Sequence, residues 1–206
     1  MNNKLVRLTF ALAFLMYSPI SQANPNGTAS EFIKVITNNL IQTLNDLKIE
    51  IKKNPSLVLS IVDEKIMPYM ASTTISRKVM GQQWKIATDE QRNKFNAEFT
   101  LYLKRYYSKA FLAFDNQSIE FNESVKMKGD NMAIVSTKVM RKGSSSSVAI
   151  QYRLSKTNES WEVIDIVIEG ISLVISNQRQ YSGLITREGL DAVTAKLAYK
   201  NQQEFK

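Results

Sequence analysis

Residues 161–170 have the sequence WEVIDIVIEG, and this stretch decides how the rest of the chain can be arranged. Branched apolar residues closed by a glycine are typical of a β-strand. Successive side chains of a strand point to opposite faces. Both faces are apolar here: Trp161, Val163 and Val167 lie on one, and Ile164, Ile166 and Ile168 on the other. The strand is therefore expected to be covered on both sides.

We predict the register between this strand and the preceding one by requiring that one face of the sheet be continuously apolar. If Tyr152 opposes Ile164, the apolar residues of both strands share one continuous face. A slip by one residue would mix polar and apolar side chains on both faces. The same register places Asp165 opposite Gln151 on the reverse face.

In three earlier segments, apolar and polar residues also alternate with period two. These segments are residues 119–127, 133–139 and 148–154. Short connections join them, including a turn at 129–131 and a serine-rich loop at 144–147. Strands joined in this way predict an antiparallel meander of four strands.

Helical spacing dominates the rest of the chain. It predicts helices over residues 28–48, 71–80 and 172–187, a final helix from Leu190, and another that starts at Asn54 as N-cap with Pro55 in its first turn. The clearest helix starts at a Thr88–Gln91 capping box and carries aromatic residues as far as Phe114.

These elements predict an α+β fold in which a curved four-stranded antiparallel sheet packs against several helices. No linker is long enough to separate two domains, so residues 24–206 are expected to form a single domain. The sequence leaves two alternatives for the interior of this fold. The sheet and the aromatic helix either enclose a solid core or leave an apolar cavity between them.

Composition and the N-terminal sequence narrow the classes of function that this chain can have. The 206 residues carry a net charge of +8 and include neither Cys nor His, which excludes most hydrolase triads and zinc sites. Lys4 and Arg7, an apolar stretch at 8–17 and small residues before Asn24 have the pattern of a secretory signal peptide over residues 1–23. A basic exported protein is expected to face anionic lipid or an acidic protein rather than nucleic acid.

Catalytic candidates are few. The chain contains no Ser-x-x-Lys, P-loop or dinucleotide-binding fingerprint. Asp165 lies among apolar neighbours and could act as a base on an apolar substrate, or it could be a hydrogen-bonded structural carboxylate. An exported adaptor without a ligand is a further alternative.

Several segments, in this order, resemble one family: residues 66–69, 80–92, 103–107, 152–154, 161–165, 169–174 and 189–193. The family is the phospholipid-binding component of the Mla (maintenance of lipid asymmetry) transport system, also called the toluene-tolerance family. The likeness covers nearly the whole chain after the signal segment. The chain departs from the family pattern at Tyr181 and at Ala192.

The resemblance implies a nuclear-transport-factor-2-like cone and a soluble periplasmic carrier that moves phospholipid between the two membranes. Its expected partners are the outer-membrane Mla lipoprotein with its porin and the inner-membrane Mla ABC complex. The expected cargo is phospholipid, with no cofactor, no metal, no catalysis and no nucleic acid, and the expected state is a monomer. Related cones include isomerases, so catalysis by Asp165 stays an alternative.

Assignment of helix and strand faces, rather than a family motif, predicts the residues that would line the cavity. They are Met67, Met70, Ile75, Val79, Phe99, Leu103, Tyr106, Phe121, Val135, Ile150, Tyr152, Ile164, Ile166 and Leu173. Lys104 and Arg105 are the predicted docking residues, and residues 68–81 the segment predicted to move when lipid enters.

Overall fold

The computed structural model describes residues 27–115, 117–122, 125–140, 146–158, 160–203 and 205. The predicted signal segment and residues 144–145 of the serine-rich loop lie outside the described residues. Within them, no helix is both long enough and apolar enough to cross a membrane.

The helices come before and after the strands, as the sequence predicts. In chain order they are α1 (Ala29–Asp46), α2 (Lys48–Lys53), α3 (Leu57–Lys65), a 3-10 turn (Met67–Tyr69), α4 (Ser72–Met80), α5 (Gln83–Ile86), α6 (Asp89–Leu112), α7 (Leu173–Glu188) and α8 (Leu190–Gln202). The strands are β1 (Ser118–Phe121), β2 (Lys126–Met127), β3 (Met132–Met140), β4 (Ser147–Thr157), β5 (Ser160–Ile168) and β6 (Ile171–Ser172).

Local sequence explains where the long helices begin. The Thr88 hydroxyl accepts from the Gln91 N–H at 3.2 Å, and the Gln91 side chain accepts from the Thr88 N–H at 3.1 Å, so the capping box of α6 is confirmed. Thr28 and Glu31 form the same arrangement at α1. The prediction for Asn54 is wrong: its side chain accepts from Ser56 Oγ at 2.7 Å, and α3 begins at Leu57. A side chain occupied in this turn is not available to cap the helix.

The sheet is antiparallel throughout, in the order β1-β3-β4-β5-β6. The segment predicted as one strand over 119–127 forms two, β1 and β2, and both pair with β3. With helices packed against this open sheet, the α+β fold class is confirmed.

The register of β4 and β5 differs from the prediction, because β5 contains a bulge. Tyr152 pairs with Ile166, and Arg153 with Asp165; the next pair is Leu154 with Val163, which leaves Ile164 unpaired. An unpaired residue breaks the alternation of side chains along a strand. The predicted pairing of Tyr152 with Ile164 assumed a regular ladder and is therefore wrong.

The bulge resolves the doubly apolar pattern of residues 161–170. Trp161 and Val163 pack in the same apolar cluster as Ile166, although regular alternation would place them on opposite faces. Both halves of β5 thus contribute apolar side chains to one face of the sheet. Asp165 and Val167 are buried on the reverse face, where β5 contacts α4 and α7.

Among the described residues, the core is divided into three apolar clusters rather than one. The first joins α1 to the sheet, and the second joins α4, α6, α7 and α8. The third joins the second half of α1 to α2, α3 and the end of α6. Met70 packs against the first and second clusters, and Ile66 against the first and third. The segment around the 3-10 turn therefore lies where the three clusters meet.

Candidate functional site

Cross-strand pairing builds a continuous apolar face on the side of the sheet toward which the bulge turns Trp161 and Val163. We call it the concave face and define it by three rows of paired residues: Ile119, Val139 and Val148; Phe121, Thr137, Ile150 and Ile168; and Val135, Tyr152 and Ile166. Thr137 and the phenol of Tyr152 supply the hydroxyl groups among these ten residues.

Burial along the concave face changes from one end to the other. Val135 is fully buried, and the strands continue from it into the packed first cluster at Ala133 and Leu154. At the other end, the apolar residues are only half-buried and belong to none of the three clusters; these are Ile119, Val139, Val148, Ile150 and Ile168. Half-buried apolar side chains that belong to no core cluster are candidates for contact with an apolar ligand.

Helix α6 has the same gradient along its length. Phe95 and Phe99 near its beginning are fully buried and stack with their ring centroids 5.3 Å apart. Tyr102, Leu103 and Tyr107 are half-buried. The closest backbone contacts of α6 are with α3, α4 and α8. The aromatic side chains in the second half of the helix are at most half-buried, although Tyr102 packs against the second cluster and Phe111 against the third.

Side chains of α7 contact those of α6. The rings of Tyr102 and Tyr181 meet edge to face at 6.0 Å, and the Asn177 side chain lies beside the Tyr107 phenol, whose pKa burial raises. From the first of these contacts to the second, the residue number rises on α6 and falls on α7. The two helices therefore run in opposite directions. The end of α6, the beginning of α7 and the half-buried rows of the sheet thus lie at one end of the molecule.

A cluster of hydroxyl groups marks the boundary between the packed and the open parts of the concave face. Burial raises the pKa of the Tyr152 phenol, while the neighbouring hydroxyls of Thr137 and Thr37 partly offset this rise. The Thr137 hydroxyl is buried without a hydrogen bond of ordinary geometry among the described residues. Such a group costs about 1–3 kcal/mol when nothing satisfies it.

Asp165 lies on the reverse face and is fully engaged in hydrogen bonds. Its carboxylate accepts from Arg153 Nη1 at 3.0 Å, from Ser172 Oγ at 2.6 Å and from the Val174 N–H at 3.1 Å. These bonds attach the first turn of α7 to β4 and β5. The three donors hold the carboxylate on the side of the sheet opposite the concave face. This is the arrangement of a structural carboxylate.

The structure places the fourteen predicted lining residues in or against all three clusters and outside them. Phe121, Val135, Tyr152 and Ile166 lie together in or against the first cluster, while Ile75, Val79, Phe99 and Leu103 lie in or against the second. Met70 packs against both of these clusters, and Met67 packs against the third. Ile150 and Leu173 are half-buried outside the clusters, Ile164 is buried at the bulge, and Tyr106 is 58% exposed. The lining assignment itself stays a prediction.

Sequence reasoning left several residues of this face out of the predicted lining. Ile119, Val139, Val148 and Ile168 alternate regularly in the sequence, and that alternation alone could have placed them on the face. Trp161 and Val163 could not have been placed in this way, because the bulge that turns them is a feature of the paired strands.

Both predicted docking cations are engaged within the chain. Lys104 Nζ lies 3.0 Å from Asp63 Oδ1, and its side chain is only 15% exposed. Arg105 donates to the Gln203 carbonyl and lies over the ring of Phe205, 5.8 Å from its centroid. Their role in docking stays a prediction.

Two surface grooves lie away from the concave face. One, of about 430 Å³, separates α7 from α8 and includes Tyr181, Leu184 and Leu197 in its walls. The other, of about 400 Å³, lies beside Gly81 and Gln178. Neither contains a predicted lining residue. In the part of the chain that the structure describes, no three His, Cys, Asp or Glu side chains converge as a metal site.

Comparison with known proteins identifies the family. The family model described as MlaC protein matches residues 34–199. The intermembrane phospholipid transport system binding protein MlaC of Haemophilus influenzae is 26% identical over 201 residues, which cover 95% of this chain and 92% of that protein. The toluene tolerance protein ttg2D of Pseudomonas putida is 26% identical over 166 residues, covering 80% of this chain and 76% of that protein.

A solved structure agrees with these relatives. The phospholipid-binding protein from Ralstonia solanacearum, in complex with a phospholipid, has a TM-score of 0.77 and 26% identity and covers 85% of this chain and 97% of that one. The family that the sequence resembles is thereby confirmed. With the family model spanning most of the chain and the same fold in a solved relative, this chain belongs to the MlaC family.

Proposed function

We propose that this protein is a soluble periplasmic carrier that binds a phospholipid by its acyl tails on the concave face. The observation that carries the proposal is the row of half-buried apolar residues at the open end of this face, which no cluster of the core covers. The relatives named for phospholipid transport and binding support the same reading. In this proposal residues 1–23 direct export and are removed, and residues 24–206 work as one lipid-binding domain.

The physical need for such a face is large. Two acyl chains of about 16 carbons expose about 30 methylenes, and their hydration costs on the order of 25 kcal/mol. Apolar walls offset this cost without directional bonds, so the bound state resembles the bilayer and lipid can leave again. The phosphate head group stays at the open end, because an unpaired charge is costly to bury.

Lipid enters in this proposal by separation of the segment around Met70 from the sheet. This segment is attached to β5 at the bulge, where Ala71 N–H donates to the Val163 carbonyl at 3.0 Å. It also lies where the three clusters meet, so a small movement there opens the space between the sheet and α6. The bulge is thus a mechanical link between the entry segment and the concave face.

The carrier then exchanges its cargo with two membrane complexes. These are the outer-membrane Mla lipoprotein with its porin and the inner-membrane Mla ABC complex, and the exchange maintains the lipid asymmetry of the outer membrane. Asp165, the candidate base, accepts three hydrogen bonds from within the protein. This supports a carrier that leaves its cargo chemically unchanged.

The test is to identify what the protein carries. Protein purified from bacterial cells without detergent is extracted with organic solvent, and the extract is analysed by mass spectrometry. We expect phospholipid at close to one molecule per protein. An extract without phospholipid, from protein that is folded by circular dichroism, would contradict the proposal.

A further inference from the structure

The open end of the concave face is bordered by apolar residues that are exposed to solvent. Tyr106 is 58% exposed on α6, Ile171 is 62% exposed in β6, and Ile175 is 41% exposed in the first turn of α7. Large apolar side chains grouped at the entrance of a cleft mark a contact site more often than scattered ones do. We call these three residues, together with Lys109 and Arg179, the mouth rim.

Ring contacts and strand pairing place the mouth rim at one end of the molecule. The Tyr106 and Tyr107 rings meet edge to face at 5.0 Å, and Tyr107 reaches the Asn177 side chain on α7. Ile171 pairs with Ile168, which lies in the half-buried part of the concave face. The rim is therefore continuous with the surface that we propose for the acyl tails.

Two cations lie beside these apolar side chains. Lys109 follows Tyr106 by three residues on α6, and Arg179 follows Ile175 by four on α7, so each shares a helix face with its apolar neighbour. Both are exposed, and neither forms an ion pair within the described residues. Both belong to a basic chain, whose net charge is +8.

Exposed aliphatic and tyrosyl side chains beside unpaired cations match the chemistry of an anionic bilayer surface. The apolar side chains can enter the boundary between head groups and acyl chains, where the amphipathic ring of tyrosine is also favoured. Each cation near an anionic lipid surface raises the binding constant about fivefold. A neutral or acidic rim would lack this complementarity.

We propose that the mouth rim docks directly on an anionic phospholipid bilayer, with Tyr106, Ile171 and Ile175 in the interface and Lys109 and Arg179 on lipid phosphates. Docking in this orientation would place the open end of the concave face against the membrane. The reason for docking there rests on the proposed carrier function, but vesicle binding and lipid content are measured separately, so the two ideas can fail independently.

The experiment is co-sedimentation of the purified protein with vesicles of phosphatidylethanolamine and phosphatidylglycerol, compared with vesicles of phosphatidylcholine alone. We expect binding to the anionic vesicles and a marked decrease with added salt, because charges on a surface are screened. The double variant Lys109→Gln/Arg179→Gln should bind about 25-fold more weakly, from about fivefold for each cation. Ile171→Ser/Ile175→Ser should also weaken binding.

Matched controls are available at the opposite end of α6. Ile86 is 77% exposed, and the exposed cations Lys85 and Lys94 lie near the first turns of that helix. Ile86→Ser and Lys85→Gln/Lys94→Gln should bind anionic vesicles as the wild-type protein does. Thermal melting and bound lipid per protein are measured for every variant, and both are expected to stay unchanged.

Three results would overturn the proposal. One is a wild-type protein that does not sediment with anionic vesicles at low salt. Another is an equal loss of vesicle binding in the rim variants and in the controls. The third is rim variants that bind vesicles normally but lose capture by a membrane protein, which would assign the rim to a protein partner. Absence of bound phospholipid would instead contradict the carrier function and leave the vesicle result intact.

Discussion

Replacement of Ile166 by aspartate tests the concave face most directly. Ile166 pairs with Tyr152 and lies half-buried beside the first cluster, at the edge of the open part of the face. A carboxylate at this position would have to lose its water when an acyl tail covers it. We therefore expect Ile166→Asp to fold and to bind phospholipid far more weakly.

The size of the effect follows from two contributions. Loss of the apolar side chain removes about 1.5–3 kcal/mol of favourable burial. Burial of an unpaired carboxylate adds a penalty of several kcal/mol. A combined loss of about 5 kcal/mol weakens binding by more than about 10³-fold, since about 1.4 kcal/mol corresponds to a factor of ten.

The same sheet provides the control. Ile134 is half-buried on the reverse face, where it pairs with Lys126 and Arg153. Ile134→Asp introduces the same charge on the same sheet and should leave lipid binding unchanged. Bound phospholipid is measured by extraction and mass spectrometry, and affinity by displacement of a fluorescent phospholipid. Full occupancy in Ile166→Asp, or an equal loss in Ile134→Asp, would refute the assignment of the lipid to the concave face.

The remaining predictions concern stability. Asp165→Asn should lower the free energy of unfolding in urea by about 2 kcal/mol, because it weakens charged hydrogen bonds, while bound lipid stays unchanged; loss of lipid from a stably folded variant would contradict the structural role. Burial raises the pKa of Tyr181 above its ordinary value of about 10, so the unfolded chain ionises first and stability falls as the pH rises beyond that value. Tyr181→Phe should therefore lose less stability than the wild type between pH 9 and pH 11, by about 1.4 kcal/mol, and equal losses would argue against this origin. Thr88→Ala should cost about 1 kcal/mol and lower the melting temperature by about 2–4 °C, since it removes the cap of α6; an unchanged melting temperature would show that the box contributes nothing.

Features that depend on neighbouring residues could be predicted from the sequence. Thr88 and Gln91 lie within one turn, so their reciprocal bonds follow from local geometry, and the structure has them. The helix that begins after Ser172 is a similar case, because the Ser172 hydroxyl accepts from the Ile175 N–H at 3.0 Å. The fold class followed from the order of such local elements.

Features that depend on distant residues could not be predicted in this way. The bulge at Ile164 brings both Val163 and Ile166 to one face of the sheet, and a regular alternation contains no sign of it. The ion pair of Lys104 with Asp63 joins two helices whose mutual placement is set by packing. Burial on the concave face was equally hidden, since the pattern that places Ile150 on this face does not say how closely it is packed.

The unpaired residue in β5 has a consequence for how this chain can change during evolution. Substitutions along 161–168 alter one side chain at a time, whereas loss of a single residue at the bulge would exchange the two faces for the whole first half of the strand. Trp161 would then turn from the apolar interior to the outside, and the carbonyl that holds Ala71 would be displaced. We therefore expect chains of this lineage to tolerate varied apolar residues here but to keep the number of residues between Trp161 and Asp165 constant.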